Sequence, residues 1–148
     1  MNTFLILVVF GHAITLSLAD FQSLYKQYAA ECKSEHNANE EDIAILKSFE
    51  IPKNEIQSCL IDCLYTKLGV IVDGKLNDEG QRSVSKSLVG DNKEKLAKME
   101  EIYTQCSKEV PQTGDLKCNI GKTLRTCVAT RFPDAKKVFQ DAKNKPTA

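Results

Sequence analysis

Two cysteines in the stretch SCLIDCLYTKLG, residues 58–69, are spaced closely enough to act together at one site. Cys59 and Cys63 are four positions apart in an apolar run, so on a helix they share one face. Such a pair could bind a metal, act in redox exchange, or form disulfides to other elements. Side chains four apart on a helix have Cβ atoms about 5–6 Å apart, whereas a disulfide needs about 3.5–4.5 Å. We therefore expect each thiol to have a different partner.

The metal and redox interpretations fit the sequence poorly. Structural zinc sites match one cysteine pair with a second pair of cysteines or histidines, but His36 is the sole histidine beyond residue 19. A redox pair has two intervening residues, and here there are three. We expect no metal and no cofactor. All six cysteines lie beyond residue 19, and an even number in a secreted chain favours a disulfide framework.

The first 19 residues have the pattern of a secretory signal peptide. An apolar run from Phe4 to Phe10 is followed by Ser17-Leu18-Ala19, small residues suited to signal peptidase. We expect cleavage after Ala19 and a mature domain over residues 20–148, secreted into an extracellular fluid. The alternative is a short uncleaved anchor, although the run is shorter than the roughly 20 apolar residues of a membrane span.

The charge and motif content exclude several classes of function. Twenty basic and 20 acidic residues give a net charge of zero, which argues against nucleic acid as a partner and provides no polybasic anchor for anionic lipid. No nucleophile elbow, metalloprotease motif or phosphate-binding loop is present. We therefore do not expect an enzyme.

Apolar residues recur at steps of three and four along most of the chain, which predicts helices. Proline, glycine and capping residues divide the pattern into six helices and a short tail helix. The expected landmarks are a first helix over residues 20–33, a second capped by Asn39 and ended by Pro52, a third ending at Gly69, a fourth capped by Asn77, a fifth over residues 92–109, a sixth capped by Asp115, and a tail helix starting at Pro133. The β-branched run Val70-Ile71-Val72 is short enough to be a loop.

The cysteine order resembles that of the insect odorant-binding and pheromone-binding protein family. The two strict intervals of that family match: three residues separate Cys59 from Cys63, and eight separate Cys118 from Cys127. Neighbouring segments match too, namely Glu40-Glu41-Asp42 and Asp73-Gly74-Lys75-Leu76. The resemblance implies an all-α fold of six to seven helices around an apolar cavity. It also implies three disulfides, Cys32–Cys63, Cys59–Cys118 and Cys106–Cys127.

The function implied by the resemblance is that of a soluble carrier of odorants or pheromones. Such a protein would bind small hydrophobic molecules in an internal pocket and deliver them to a membrane chemoreceptor. It would act as a monomer or weak homodimer, in sensillar lymph or another body fluid. Three alternatives stay open: a non-olfactory carrier in haemolymph or glands, a saposin-like lipid-interacting protein, and a secreted helical signal without a cavity.

The candidate ligand-binding residues are the large apolar residues on the predicted inner faces. Tyr103 could orient a ligand through its hydroxyl, with Thr66 and Ser87 as further polar candidates. The tail helix could cover the cavity with its Val138–Phe139 edge, or it could dock on the outer surface. The ten candidates are Leu60, Leu64, Leu68, Val84, Leu88, Met99, Tyr103, Leu124, Val128 and Phe132.

Overall fold

The computed structural model describes residues 17–112 and 116–144, and most of the expected signal peptide lies outside that range. The all-α prediction is confirmed, with seven helices and one small hairpin among the described residues. None of these helices has both the length and the apolar character needed to cross a bilayer. The elements are α1 (Leu18–Glu35), α2 (Glu40–Ser48), α3 (Glu55–Lys67), β1 (Ile71–Val72), β2 (Lys75–Leu76), α4 (Asp78–Val89), α5 (Lys93–Ser107), α6 (Asn119–Arg131) and α7 (Pro133–Asn144).

Asparagine side chains begin three of the helices. Asn39 accepts a hydrogen bond from the backbone N–H of Asp42 at the start of α2, as the sequence predicts. Asn54 and Asn92 cap α3 and α5 in the same way. Each cap satisfies a backbone donor that the helix itself leaves unpaired and contributes about 1 kcal/mol.

One predicted cap and one predicted helix start are wrong. Asn77 precedes α4, but its side chain makes no cap and instead donates to the Gly69 carbonyl at 2.9 Å. The sixth helix begins at Asn119 and not after a cap at Asp115, a residue outside the described part of the chain. Cys118 occupies the N-cap position in a left-handed backbone conformation and is bridged to another helix, so the regular α6 backbone begins after it.

The run Val70-Ile71-Val72 is not only a loop, as the sequence allowed. Its last two residues form an antiparallel hairpin in which Ile71 faces Leu76. Asp73 and Gly74 make the turn, and both have positive φ angles, 50° and 70°. That geometry suits a two-residue hairpin connection, where an aspartate–glycine pair is favoured.

Three disulfides join the helices, in the pairing that the family resemblance implies. Cys32–Cys63 links α1 to α3, Cys59–Cys118 links α3 to the residue before α6, and Cys106–Cys127 links α5 to α6. The α3 helix is therefore bridged at two points. In the chain-entropy model, each closed loop stabilises the fold by about 3–4 kcal/mol.

The buried side chains form two apolar clusters. The first lies among α1, α2 and α3, where Leu46, Leu60, Ile61 and Leu64 are fully buried. The second lies among the hairpin, α5 and α6. Tyr65 and Leu68, at the C-terminal end of α3, pack against both clusters.

Candidate ligand-binding site

A cavity of about 530 Å³ lies beside the second cluster, bounded by α1, α3, α4, α5, α6 and α7. Its volume falls within the roughly 300–1,000 Å³ of small-molecule sites, and its wall is mostly apolar. Eight of the ten candidate residues line it, and their role in binding stays a prediction. They are Leu68, Val84, Leu88, Met99, Tyr103, Leu124, Val128 and Phe132.

The other two candidates, Leu60 and Leu64, do not line the cavity. Both are fully buried in the first cluster, where they pack with residues of α1 and α2 such as Cys32 and Leu46. The apolar periodicity of α3 correctly identifies both residues as buried. It does not show that other helices pack against one side of α3 while the cavity borders another. The side that reaches the cavity carries Tyr65 instead.

An aromatic wall completes the cavity on the side of α1 and α7. Phe139 of α7 lies with its ring centroid 5.8 Å from that of Tyr25 and 5.2 Å from that of Phe49. Phe21, one turn before Tyr25 on α1, also lines the cavity. Phe21 and Tyr25 lie four positions apart, so the sequence predicts that they share one face of α1. The spacing alone does not show that this face borders the cavity.

The tail helix α7 forms one wall of the cavity. Val138 and Phe139 line it, and Ala142 is buried one turn later. Gln22 of α1 donates a side-chain hydrogen bond to the Ala142 carbonyl at 2.9 Å. The Val138–Phe139 edge thus faces inward, the arrangement that a covering helix requires.

Polar side chains interrupt the apolar wall at α4. Ser85 is buried, and its hydroxyl oxygen accepts a hydrogen bond from Gln81 at 2.7 Å. Both residues line the cavity. The polar candidates Thr66 and Ser87 do not line it. Their hydroxyls donate to carbonyls of the preceding turn, at Asp62 and Ser83.

Tyr103 on α5 presents a buried hydroxyl in the same wall. Burial, together with the nearby negative charge of Asp78, raises the pKa of Tyr103 to about 12. The hydroxyl oxygen has no partner within direct hydrogen-bonding distance, but the Asp78 carboxylate is close enough to attract its proton. Tyr103 is therefore neutral at physiological pH and keeps its proton for donation.

Arg125 on α6 is the least expected residue of the cavity wall. Its side chain is only 1% exposed, and its Nε donates to the Tyr65 hydroxyl at 3.1 Å. The guanidinium carbon lies 4.0 Å from the ring centroid of Phe49, a cation–π arrangement. Sequence reasoning missed Arg125 because an arginine in an amphipathic helix is normally assigned to the solvent face.

Exposed charges surround the wall where α5, α6 and α7 meet. Lys95, Lys98, Arg131 and Asp134 all line the cavity and are exposed. The Lys98 ammonium lies 5.7 Å from the ring centroid of Phe132. Basic residues therefore outnumber acidic ones in the lining of this cavity.

A second cavity of about 640 Å³ lies among α1, α2 and α7. It shares Phe21, Tyr25, Leu88 and Phe139 with the first cavity, so the aromatic wall separates two spaces. Burial raises the pKa of Tyr25 well above its usual range, while the Arg125 charge acts in the opposite direction. The Tyr25 hydroxyl is protonated and donates to the Leu46 carbonyl.

One group of potential metal ligands occurs among the described residues. It brings together Glu35, His36 and Cys63. Cys63 is bonded to Cys32, however, so it has no thiolate to offer a metal. This group gives no support for a metal site.

Two solved structures have a similar fold. The odorant-binding protein dmelOBP28a from Drosophila melanogaster matches with a TM-score of 0.66 at 22% identity, over 82% of this chain and 97% of its own. A pheromone-binding protein from the cockroach Leucophaea maderae, in complex with the fluorescent reporter ANS, matches with a TM-score of 0.65 at 20% identity. That match covers 78% of this chain and 98% of the cockroach protein.

Sequence comparison gives the family. General odorant-binding protein 56a of Drosophila melanogaster is 28% identical over 142 residues, 90% of this chain and 96% of its own length. General odorant-binding protein 19d of the same species is 29% identical over 103 residues, 69% of this chain and 67% of its own. The model of the PBP/GOBP family matches residues 17–131. The chain belongs to the PBP/GOBP family, whose members are non-enzymatic carriers.

Proposed function

We propose that this protein carries small hydrophobic molecules in the cavity lined by α4, α5, α6 and α7. The observation that carries the proposal is the 530 Å³ space itself, which has a mostly apolar wall within a fold held by three disulfides. An unfilled space of this kind lowers stability by about 24 cal/mol per Å³ in cavity-forming mutants. Family membership and the cavity together support a carrier over a signal protein with a solid core.

Binding would come mainly from burial of apolar ligand surface. Each Å² removed from water contributes roughly 25 cal/mol. Met99 is unbranched and polarisable, so it can adapt to ligands of different shape. The neutral hydroxyl of Tyr103 is the wall group best suited to donate to a ligand oxygen.

Changing the cavity volume tests the proposal. The substitution Val84→Phe places a larger side chain in the cavity wall, and we expect it to weaken binding of the neutral probe N-phenylnaphthylamine several-fold. Val72→Phe makes the same chemical change at an exposed position of the hairpin and serves as the matched control. If the two folded variants bind the probe with equal affinity, the probe does not bind in this cavity and the proposal is contradicted.

Delivery to a membrane chemoreceptor is the finer part of the proposal. Expression in sensory tissue, with a lowered odorant threshold when the protein is present, would support it. Expression confined to haemolymph or glands would favour the non-olfactory carrier. Strong binding to lipid vesicles would favour the saposin-like alternative.

Secretion follows from the same proposal and predicts a defined amino terminus. Cleavage after Ala19 removes Ser17, the residue that caps α1, together with the first residues of that helix. We expect Asp20 as the first residue of the secreted protein, measured by N-terminal sequencing. A chain that stays in the cell membrane with its leader attached would contradict this expectation.

A further inference from the structure

Arg125 is a buried cation without a counter-ion. Its Nη1 is shielded from solvent and has no hydrogen-bond partner. No carboxylate among the described residues lies within ion-pair distance of the guanidinium. The contacts that it does make are to neutral aromatic groups, Tyr65, Phe49 and Tyr25.

This arrangement is unfavourable for the protein alone. Burial of an ionised group is costly unless a paired charge and hydrogen bonds compensate it. Two aromatic rings recover part of the lost hydration energy. Arginine keeps its proton in proteins, so it cannot become neutral as a buried lysine can. An anion in the cavity would supply the missing charge and accept the free Nη1 hydrogen bond.

The rest of the cavity is consistent with a ligand that is apolar along its length and anionic at one end. The wall around Arg125 is aromatic and aliphatic, which suits a hydrocarbon chain. Lys95, Lys98, Arg131 and Asp134 line the exposed part. Lys98 is paired with Glu101 and Arg131 with Glu109, so these exposed charges add little to the attraction that Arg125 exerts on an anion.

We propose that the cavity selects single-chain carboxylic acids, with the carboxylate paired to Arg125 and the hydrocarbon chain against the apolar wall. This inference rests on the proposed carrier function and names the chemical class of its cargo. A carboxylate accepts charge-assisted hydrogen bonds from a guanidinium, and these are stronger than bonds between neutral groups. A neutral alcohol of the same chain length would fill the space but leave the Arg125 charge unpaired.

The first test compares dodecanoate with dodecanol as competitors of N-phenylnaphthylamine. In Arg125→Met we expect dodecanoate affinity to fall by about tenfold or more, and dodecanol affinity to change by less than about threefold. The control Lys122→Met removes a charge from an exposed position of the same helix, outside the cavity lining. Equal losses for both ligands, or an unchanged dodecanoate affinity, would overturn the inference.

A second test needs no variant and holds even if Arg125→Met fails to fold. Dodecanoate labelled with ¹³C at the carboxyl group is titrated by NMR while bound to the wild-type protein. A neighbouring guanidinium lowers a carboxyl pKa, whereas an apolar site without it raises that pKa. A bound-state pKa below that of the free monomeric acid supports the pairing, and one that is raised or unchanged refutes it.

The two proposals fail in different ways. If dodecanol displaces the probe but dodecanoate shows no dependence on Arg125, the carrier function stands and the head-group inference is wrong. If neither compound displaces the probe, and the probe itself does not saturate the folded protein, the carrier function is wrong.

Discussion

Leu64 and Leu68 lie one turn apart at the end of α3, yet their surroundings differ. Leu64 is fully buried in the first cluster, in contact with side chains of α1 and α2. Leu68 is half-buried, packs at the edge of both clusters and lines the cavity. At the scale of single residues, this difference separates side chains that stabilise the fold from those that shape the ligand space.

This difference predicts that truncation to alanine mainly affects stability at Leu64 and mainly affects ligand binding at Leu68. We expect Leu64→Ala to lower the free energy of unfolding by about 2–5 kcal/mol, because it leaves a hole in a closely packed core. Leu68→Ala should cost less stability, because its site already borders a void, and should alter probe affinity more. Urea unfolding and probe titration of both variants measure this, and the reverse order of either effect would contradict it.

At this scale, the sequence predicts which side chains are buried better than it predicts what they contact. All ten candidate residues come from inward-facing positions, but periodicity cannot say whether a buried side meets protein or empty space. Leu60 and Leu64 were misplaced for that reason. Arg125 was missed because its burial depends on Phe49 and Tyr65, which approach from other parts of the chain.

At the scale of elements, α7 contacts the rest of the protein mainly through its cavity-facing side. Phe139 contacts the rings of Tyr25 and Phe49, and Ala142 is held through the Gln22 hydrogen bond. The remaining side chains of the helix are largely exposed or half-buried. A helix docked in this way could move without unfolding the disulfide-bridged part of the chain.

If α7 covers the cavity, Phe139→Ala should speed ligand release. We expect the probe dissociation rate to rise several-fold, because the substitution removes two ring contacts and opens the wall. Gln140→Ala, at an exposed position on the same helix, is the control. Stopped-flow displacement gives the rate, and no difference between the variants would argue for a tail helix with no gating role.

Local chemistry explains why most helix starts could be predicted and the start of α6 could not. Asn39 caps α2 through its own side chain, which accepts from a backbone N–H three residues on. The predicted end at Pro52 is late, because α2 already ends at Ser48 and Phe49 takes a left-handed conformation. The start of α6 depends on tertiary structure instead. Cys118 is bridged to Cys59, and Gly121 packs so closely on α3 that an added Cβ would lie 2.8 Å from the Asp62 Cα.

At the scale of the whole molecule, the cysteines decide the architecture. Helix geometry leaves several pairings open, and the family resemblance selects the one that the structure contains. The bridges join α1, α3, α5 and α6, and all four of these helices contribute residues to the cavity wall alongside α4 and α7. Cross-links of this kind compensate for the stability that a small chain loses around a cavity.

The measurement that tests the central claim most directly is titration of N-phenylnaphthylamine into the oxidised wild-type protein, followed by competition with alcohols, esters, terpenoids and fatty acids. We predict saturable binding in the micromolar range, displacement that depends on chemical class, and loss of binding when the disulfides are reduced. Absence of saturable binding in protein shown to be folded and correctly bridged would contradict the carrier account.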